Sequence, residues 1–321
     1  MVDLLSLLQD TGAYRTVKED KAAGKLSHAY LIVSADKENS GEFLKLFAKL
    51  IVGGDARAEK LIEEGVHPDV LTFPRNGDAV LKEDVSAIIE ETFLKPVEGD
   101  IKLFLIDNGE SMNASSQNKL LKTLEEPPRG VHILIAATSE YPLLSTVKSR
   151  VKKLNIPPFT EEKLFAALSP YCPDEERLKK AVACGDGTVS AALKLYGDDD
   201  FSQTVDAAAD VFVEMRSSKD VPAFSARIAG LKDGAEGFIS VLGLINRDML
   251  LYFNGEENAV FDKSLLERVK KAEGFTAGAL VYAADAITDA RKRLAANVNP
   301  QAVIERLLFA ILEGKHKWQK L

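Results

Sequence analysis

Through the first half of the chain, short uninterrupted apolar runs alternate with stretches that are apolar on one side only. Residues 101–106 (IKLFLI) form one such run, ending in Asp107, and residues 131–137 (VHILIAA) form another. Runs of this length without polar alternation are expected of strands buried on both faces, as in a parallel sheet. Between them, residues 113–126 place Leu120, Leu121 and Leu124 on one helical face. Pro127-Pro128 ends that helix, because proline has no N–H to continue it. A second helix-like segment begins at residues 143–147. Strand, helix and strand at this spacing predict a right-handed βαβ unit. An acidic residue such as Asp107 at the carboxyl end of a strand is where an α/β sheet holds a magnesium–phosphate ligand. Taken piece by piece, the same residues are also accounted for by core packing.

The pattern extends upstream. Residues 2–21 read as a helix leading into a loop, 29–33 as the first core strand, and 42–52 as a helix with Phe43, Phe47 and Leu50 on one face. His67-Pro68-Asp69 reads as a turn entering a strand at 70–73. Past Pro157-Pro158 the period becomes helical. Segments 161–168, 173–183 and 189–196 predict three short helices, with Thr160 as an N-cap, before a charged hinge at 197–200 (GDDD). From residue 201 onward the pattern is helical throughout, with breaks near 230–237, 254–257 and 274–278. The last helix, 300–315, has Pro300 at its start and Ile304, Leu307, Leu308 and Ile311 on one face. The expected organisation is a parallel-sheet α/β domain (1–159), a small helical domain (160–200) and an all-α domain (201–321).

Composition narrows the functional classes. The 321 residues carry a net charge of −8, which argues against a protein that grips DNA over its whole surface. Hydrophobic residues at 46% and charged ones at 28% are those of an ordinary globular chain. Two cysteines, Cys172 and Cys184, are too few for a disulfide scaffold and fit a reducing, cytoplasmic location. No apolar run reaches the ~18 residues of a membrane span, and the amino terminus lacks a signal pattern.

The wording of the central stretch is more specific. NKLLKTLEEPP, a strand, and then TVKSR resembles the AAA+ core of bacterial DNA polymerase III clamp-loader subunits, and within that family the delta-prime type. His67-Pro68-Asp69-Val70 and Ser149-Arg150 fit the same pattern in the same order. The resemblance runs from about residue 28 to 159. It implies an AAA+ (P-loop NTPase-like) parallel-sheet domain, then a helical lid domain and an all-α collar that joins subunits. The implied partners are gamma/tau-type ATPase and delta-type subunits and, indirectly, the sliding clamp and primer-template DNA.

Against that family the chain departs at the nucleotide site. An AAA+ ATPase carries G-x-x-x-x-G-K-[ST] between the first strand and its helix, where amides and a lysine cradle the phosphates. Residues 34–41 here read SADKENSG, so aligning on His28-Ala29-Tyr30 puts Ser40 at the lysine position and Gly41 at the hydroxyl position. Asp36, Glu38 and Glu42 would repel a polyphosphate. After Asp107, the position where an ATPase usually has its catalytic acid holds Asn108, and the position of the sensing arginine of active relatives holds Ser190. No bound nucleotide is therefore expected. Related subunits often hold zinc through four cysteines in the region corresponding to 53–65, where this chain has none, so no metal is expected either.

Lys148, Arg150, Lys152 and Lys153 cluster together, with Lys119 and Lys122 on the preceding helix. Such a cluster is most often a solvated face, but Ser149-Arg150 is the family's trans-acting arginine motif, followed here by Val151 in place of the usual cysteine. The resemblance therefore implies catalytic roles for Arg150, acting in trans, and Ser149. The expected function is a non-hydrolysing subunit, not an enzyme on its own, that supports clamp loading in DNA replication. An active gamma-type ATPase and a delta-type clamp-opening subunit are the alternatives. The missing P-loop disfavours the first, and the presence of LLKTLEEPP and Ser149-Arg150 disfavours the second.

Overall fold

The apolar runs pair side by side as parallel strands. The computed structural model describes residues 2–231, 234–256, 263–270, 272 and 274–318. Helices α1 (Leu4–Gln9) and α2 (Gly12–Ala22) precede strand β1 (Ala29–Ser34). There follow α3 (Ser40–Val52), α4 (Ala56–Glu63), β2 (Val70–Phe73), α5 (Lys82–Thr92) and β3 (Lys102–Ile106). Next come α6 (Ala114–Glu125), β4 (Val131–Ala137), the single turn α7 (Ser145–Lys148), β5 (Lys152–Ile156) and α8 (Glu161–Leu168).

The strands form one sheet in the order β2-β3-β4-β1-β5, with every neighbouring pair parallel. Because the strands are parallel, the carboxyl ends of β1 and β3 open onto the same edge, on either side of β4. β3 is buried at every position, as its unbroken apolar run requires. Phe73 and Phe104 stack across β2 and β3 at 6.5 Å, and Leu120 and Leu124 of α6 are buried in the same core. Each such side chain contributes about 1.5–3 kcal/mol by leaving water.

Some elements differ from expectation. The stretch at 2–21 is two helices, because Thr11 ends α1 and caps α2, its Oγ1 accepting from the Tyr14 N–H at 3.2 Å. Helices α4 and α5 fill stretches with no predicted element. The basic cluster contains β5, in which Leu154 and Ile156 are buried while Lys152, Lys153 and Asn155 face outward at the edge of the sheet.

The chain divides into two units. One holds the residues up to Tyr171 together with 188–190; the other holds 172–187 and everything from 191. The second contains α9 (Glu175–Cys184) and most of α10 (Val189–Gly197). It continues with α11 (Phe201–Val213), α12 (Val221–Ala229), α13 (Gly234–Phe253), α14 (Lys263–Val269), α15 (Ala277–Ala295) and α16 (Pro300–Lys317). Phe212, Phe238, Leu280 and Leu308 are fully buried in its core. A Cβ on Gly278 would lie 2.9 Å from the Trp318 ring, and one on Gly314 would lie 2.9 Å from Tyr282, so glycine lets α15 and α16 approach. The expected breaks at 230–237 and 254–257 fall partly outside the described residues. Asp198, placed by sequence in a charged hinge, is buried at 4% exposure, and its carbonyl accepts from Arg177.

Candidate functional site

The loop after β1 is filled by its own polar groups. Backbone amides are what would cradle a phosphate there, since they lead into the amino end of α3. Here the Asp36 N–H donates to Ser34 Oγ at 3.2 Å, the Lys37 N–H to the Ala35 carbonyl at 3.1 Å, and the Ser40 N–H to the Lys37 carbonyl at 3.1 Å. Asp36 is 2% exposed. Its carboxylate accepts from Asn39 Nδ2 at 3.0 and 3.1 Å, from the Val189 N–H at 2.8 Å and from the Ser190 N–H at 3.3 Å. A buried carboxylate thus lies within the loop where a polyphosphate would need donors. Ser190 reaches this loop as the alignment implies, but through its amide.

Asp107 closes the same edge. Ser40 Oγ donates to Asp107 Oδ1 at 2.5 Å, and the Asn108 N–H donates to the same oxygen at 2.8 Å. A Cβ on Gly41 would lie 3.1 Å from Asp107 Oδ2. Asn108 adopts a left-handed conformation with φ of 54°, which asparagine tolerates, and its Nδ2 donates to the Asp78 carbonyl at 2.5 Å. Its side chain shapes a turn and carries no carboxylate.

The arginine corner is built differently. Gln117 of α6 is 1% exposed; its Nε2 donates to the Met112 carbonyl at 2.8 Å and the Pro142 carbonyl at 3.2 Å, and its Oε1 accepts from the Leu144 N–H at 2.7 Å. That ties α6 to the segment entering α7, whose Val147 is fully buried. Arg150 follows α7 with its side chain 33% exposed. Its Nη1 donates to the Thr146 carbonyl at 2.9 Å and to Ser149 Oγ at 3.1 Å, while Nη2 lies 2.6 Å from Glu125 Oε1. Ser149 thus steadies the guanidinium, and Val151 is half-buried against the sheet core.

These two places lie at opposite ends of neighbouring strands. β1 and β5 are neighbours, with Tyr30 opposite Lys152 and Ser34 opposite Ile156. Arg150 is therefore level with the start of β1, whereas the loop begins beyond its end. The strand between spans roughly 16 Å at about 3.3 Å per residue.

Two other members of the basic cluster are ion-paired. Lys152 meets Asp20 at 2.6 Å and Lys153 meets Glu140 at 2.6 Å. The His67 turn is a buried hydrogen-bonded structure, in which Asp69 accepts from the Val97 and Glu98 amides at 2.6 and 2.7 Å and His67 Nδ1 accepts from the Asp69 N–H at 3.1 Å. In the segment 53–65, Arg57 pairs with Glu98 at 3.0 Å and Glu63 with Lys49 at 3.4 Å. Among the described residues, no group of three or more His, Cys, Asp or Glu side chains is placed to hold a metal.

Residues 9–160 match a family model described as DNA polymerase III, delta subunit. A delta-prime subunit of DNA polymerase III from Bacillus subtilis is 27% identical over 320 residues, covering 94% of both chains. The chain is similar to this delta-prime subunit over nearly its whole length. A gamma subunit from Buchnera aphidicola is 29% identical over 188 residues, which span about half of either chain (54% and 52%). Among solved structures, a gamma subunit-related protein from Thermotoga maritima aligns over 93% of this chain and 99% of its own, at 19% identity and a TM-score of 0.43. The parallel sheet followed by a helical region is the AAA+ arrangement that the delta-prime resemblance implies.

Proposed function

We propose that this chain is a clamp-loader subunit of DNA polymerase III that does not hydrolyse ATP and lends Arg150 to the ATP site of a neighbouring subunit. Its similarity to a delta-prime subunit along 94% of the chain supports the loader role. The observation that carries the finer reading is the position of Arg150, a strand's length from its own loop and at the opposite end of the strands. From there the guanidinium serves a neighbour more readily than its own chain. In phosphoryl transfer, charge spreads over the γ-phosphate oxygens, and an arginine supplied in trans neutralises it with a planar fork of donors.

The loop after β1 supports the other half of the reading, since three of its amides and the buried Asp36 carboxylate are already paired. Gamma/tau-type ATPase and delta-type subunits are the proposed partners, with the clamp and primed DNA engaged through the assembly. In this reading the helices from residue 201 form the collar, 160–200 corresponds to a lid, and the chain works in the cytoplasm. The described residues contain no helix long and apolar enough to cross a membrane.

The test is reconstitution with the cognate ATPase and clamp-opening subunits. Leaving this chain out should abolish clamp loading, and Arg150→Ala should assemble normally yet load poorly. Wild-type loading by Arg150→Ala would refute the finger assignment.

A further inference from the structure

In the isolated chain Arg150 is already engaged. Nη1 donates to the Thr146 carbonyl and Ser149 Oγ at 2.9 and 3.1 Å, and Nη2 lies 2.6 Å from Glu125 Oε1. Glu125 is the last residue of α6, and the C-cap residue Glu126 is acidic as well. Carboxylates at a helix carboxyl end oppose the helix dipole, so α6 alone gives no reason for an acid at this position. The guanidinium opposite supplies one. A carboxylate offers arginine two oxygens in the arrangement that phosphate oxygens offer, and both use the same donor fork.

We propose that Glu125 is a positioning residue for Arg150, a carboxylate that holds the guanidinium until the γ-phosphate of a neighbour's nucleotide displaces it. The proposal rests on the trans-arginine reading above. The backbone contact to Thr146 and the hydroxyl contact to Ser149 keep the side chain aimed, while Glu125 occupies the Nη2 donor. Glu125 and Arg150 are 47% and 33% exposed, so solvent screens the pair and it is weak enough to exchange. A polyphosphate carries more charge than one carboxylate and meets the arginine in a drier interface, so it wins the exchange. Glu125 competes with nucleotide throughout, and its cost falls on apparent ATP affinity while the chemical step is spared.

The experiment measures steady-state ATPase of the reconstituted assembly over a range of ATP concentrations, with wild type, Glu125→Gln, Glu125→Asp, Arg150→Ala and the double variant Glu125→Gln/Arg150→Ala. Glu125→Gln keeps the size of the side chain and removes its charge. It should lower the half-saturating ATP concentration by about two- to fivefold at the site this chain borders, with kcat within about twofold of wild type. Glu125→Asp, which retains the charge, should return the value toward wild type. The double variant should match Arg150→Ala, because Glu125 acts only through that arginine. An unchanged half-saturating concentration in Glu125→Gln, with Arg150→Ala impaired, overturns this proposal alone. A fall in kcat with Glu125→Gln also overturns it, since the carboxylate would then be needed in the transition state. If Arg150→Ala itself is without effect, the underlying trans-arginine reading fails instead.

Discussion

The loop after β1 and the turn before β5 stand beside neighbouring strands of one sheet, yet they spend their polar groups in opposite ways. In the loop, a carboxylate that is 2% exposed is met by an asparagine amide and two backbone N–H groups, and the Asp36, Lys37 and Ser40 amides are paired within the loop. At the turn, a guanidinium that is 33% exposed holds a screened carboxylate, a hydroxyl and a carbonyl. The first arrangement leaves little for a ligand to gain. The second leaves a charged fork on a surface, held by groups it can exchange. Under the proposed function, an inactive nucleotide site and usefulness to a neighbour are separable properties, carried at different ends of neighbouring strands.

Four substitutions break or sharpen this contrast. The largest effect is expected beneath the arginine. Gln117→Ala leaves the Met112 and Pro142 carbonyls and the Leu144 N–H without their buried partner. At about 1–3 kcal/mol for an unsatisfied buried group, denaturant unfolding of this variant should show a loss of a few kcal/mol, with reduced loading activity at temperatures where it stays folded. Asp36→Ala comes next. It orphans the Val189 and Ser190 amides and should cost about 1–3 kcal/mol. It should not create nucleotide binding, because the amides of residues 36, 37 and 40 keep their partners within the loop; micromolar Mg·ATP binding by calorimetry would show that Asp36 alone blocks the site.

A smaller effect concerns pH. Burial pushes the His132 imidazole below its ordinary value, although its Nδ1 lies 2.8 Å from the Ser27 carbonyl. The folded chain holds this ring neutral, so the unfolded chain binds the extra proton first. The associated stability is present above about pH 6.5 and is lost as pH falls through the lower folded value. Melting curves of wild type and His132→Gln between pH 7.5 and 5 should differ in slope, the variant being flatter. The smallest effect is that of Arg150→Ala on folding. As a screened surface pair, its removal should shift stability by no more than about 1 kcal/mol.

How much of this was legible beforehand follows from the kind of signal involved. Strands β3 and β4 announced themselves because runs buried on both faces cannot alternate, and α6 because leucines recur along one side before a double proline. Helix α4 escaped notice because it buries only Ile62, and β5 because Lys152, Lys153 and Asn155 conceal the alternate burial of Leu154 and Ile156. Arg150 was found through its motif. Its partner Glu125, 25 positions earlier, and the bond from Asp36 to Val189, 153 positions apart, leave no local trace in the sequence.

The central claim is that Arg150 acts on a neighbour's nucleotide through its fork of donors. The most direct measurement compares ATP hydrolysis and clamp loading by the reconstituted assembly containing wild type, Arg150→Ala or Arg150→Lys. Trans arginine fingers are worth about 10³–10⁵ in rate where a single site is involved. An assembly with several sites should show a partial fall in total ATPase and a larger fall in loading. Lysine should fail nearly as badly as alanine, because a point charge cannot make the bidentate contact. Wild-type hydrolysis and loading by Arg150→Ala would contradict the account and return Arg150 to an ordinary solvated basic face.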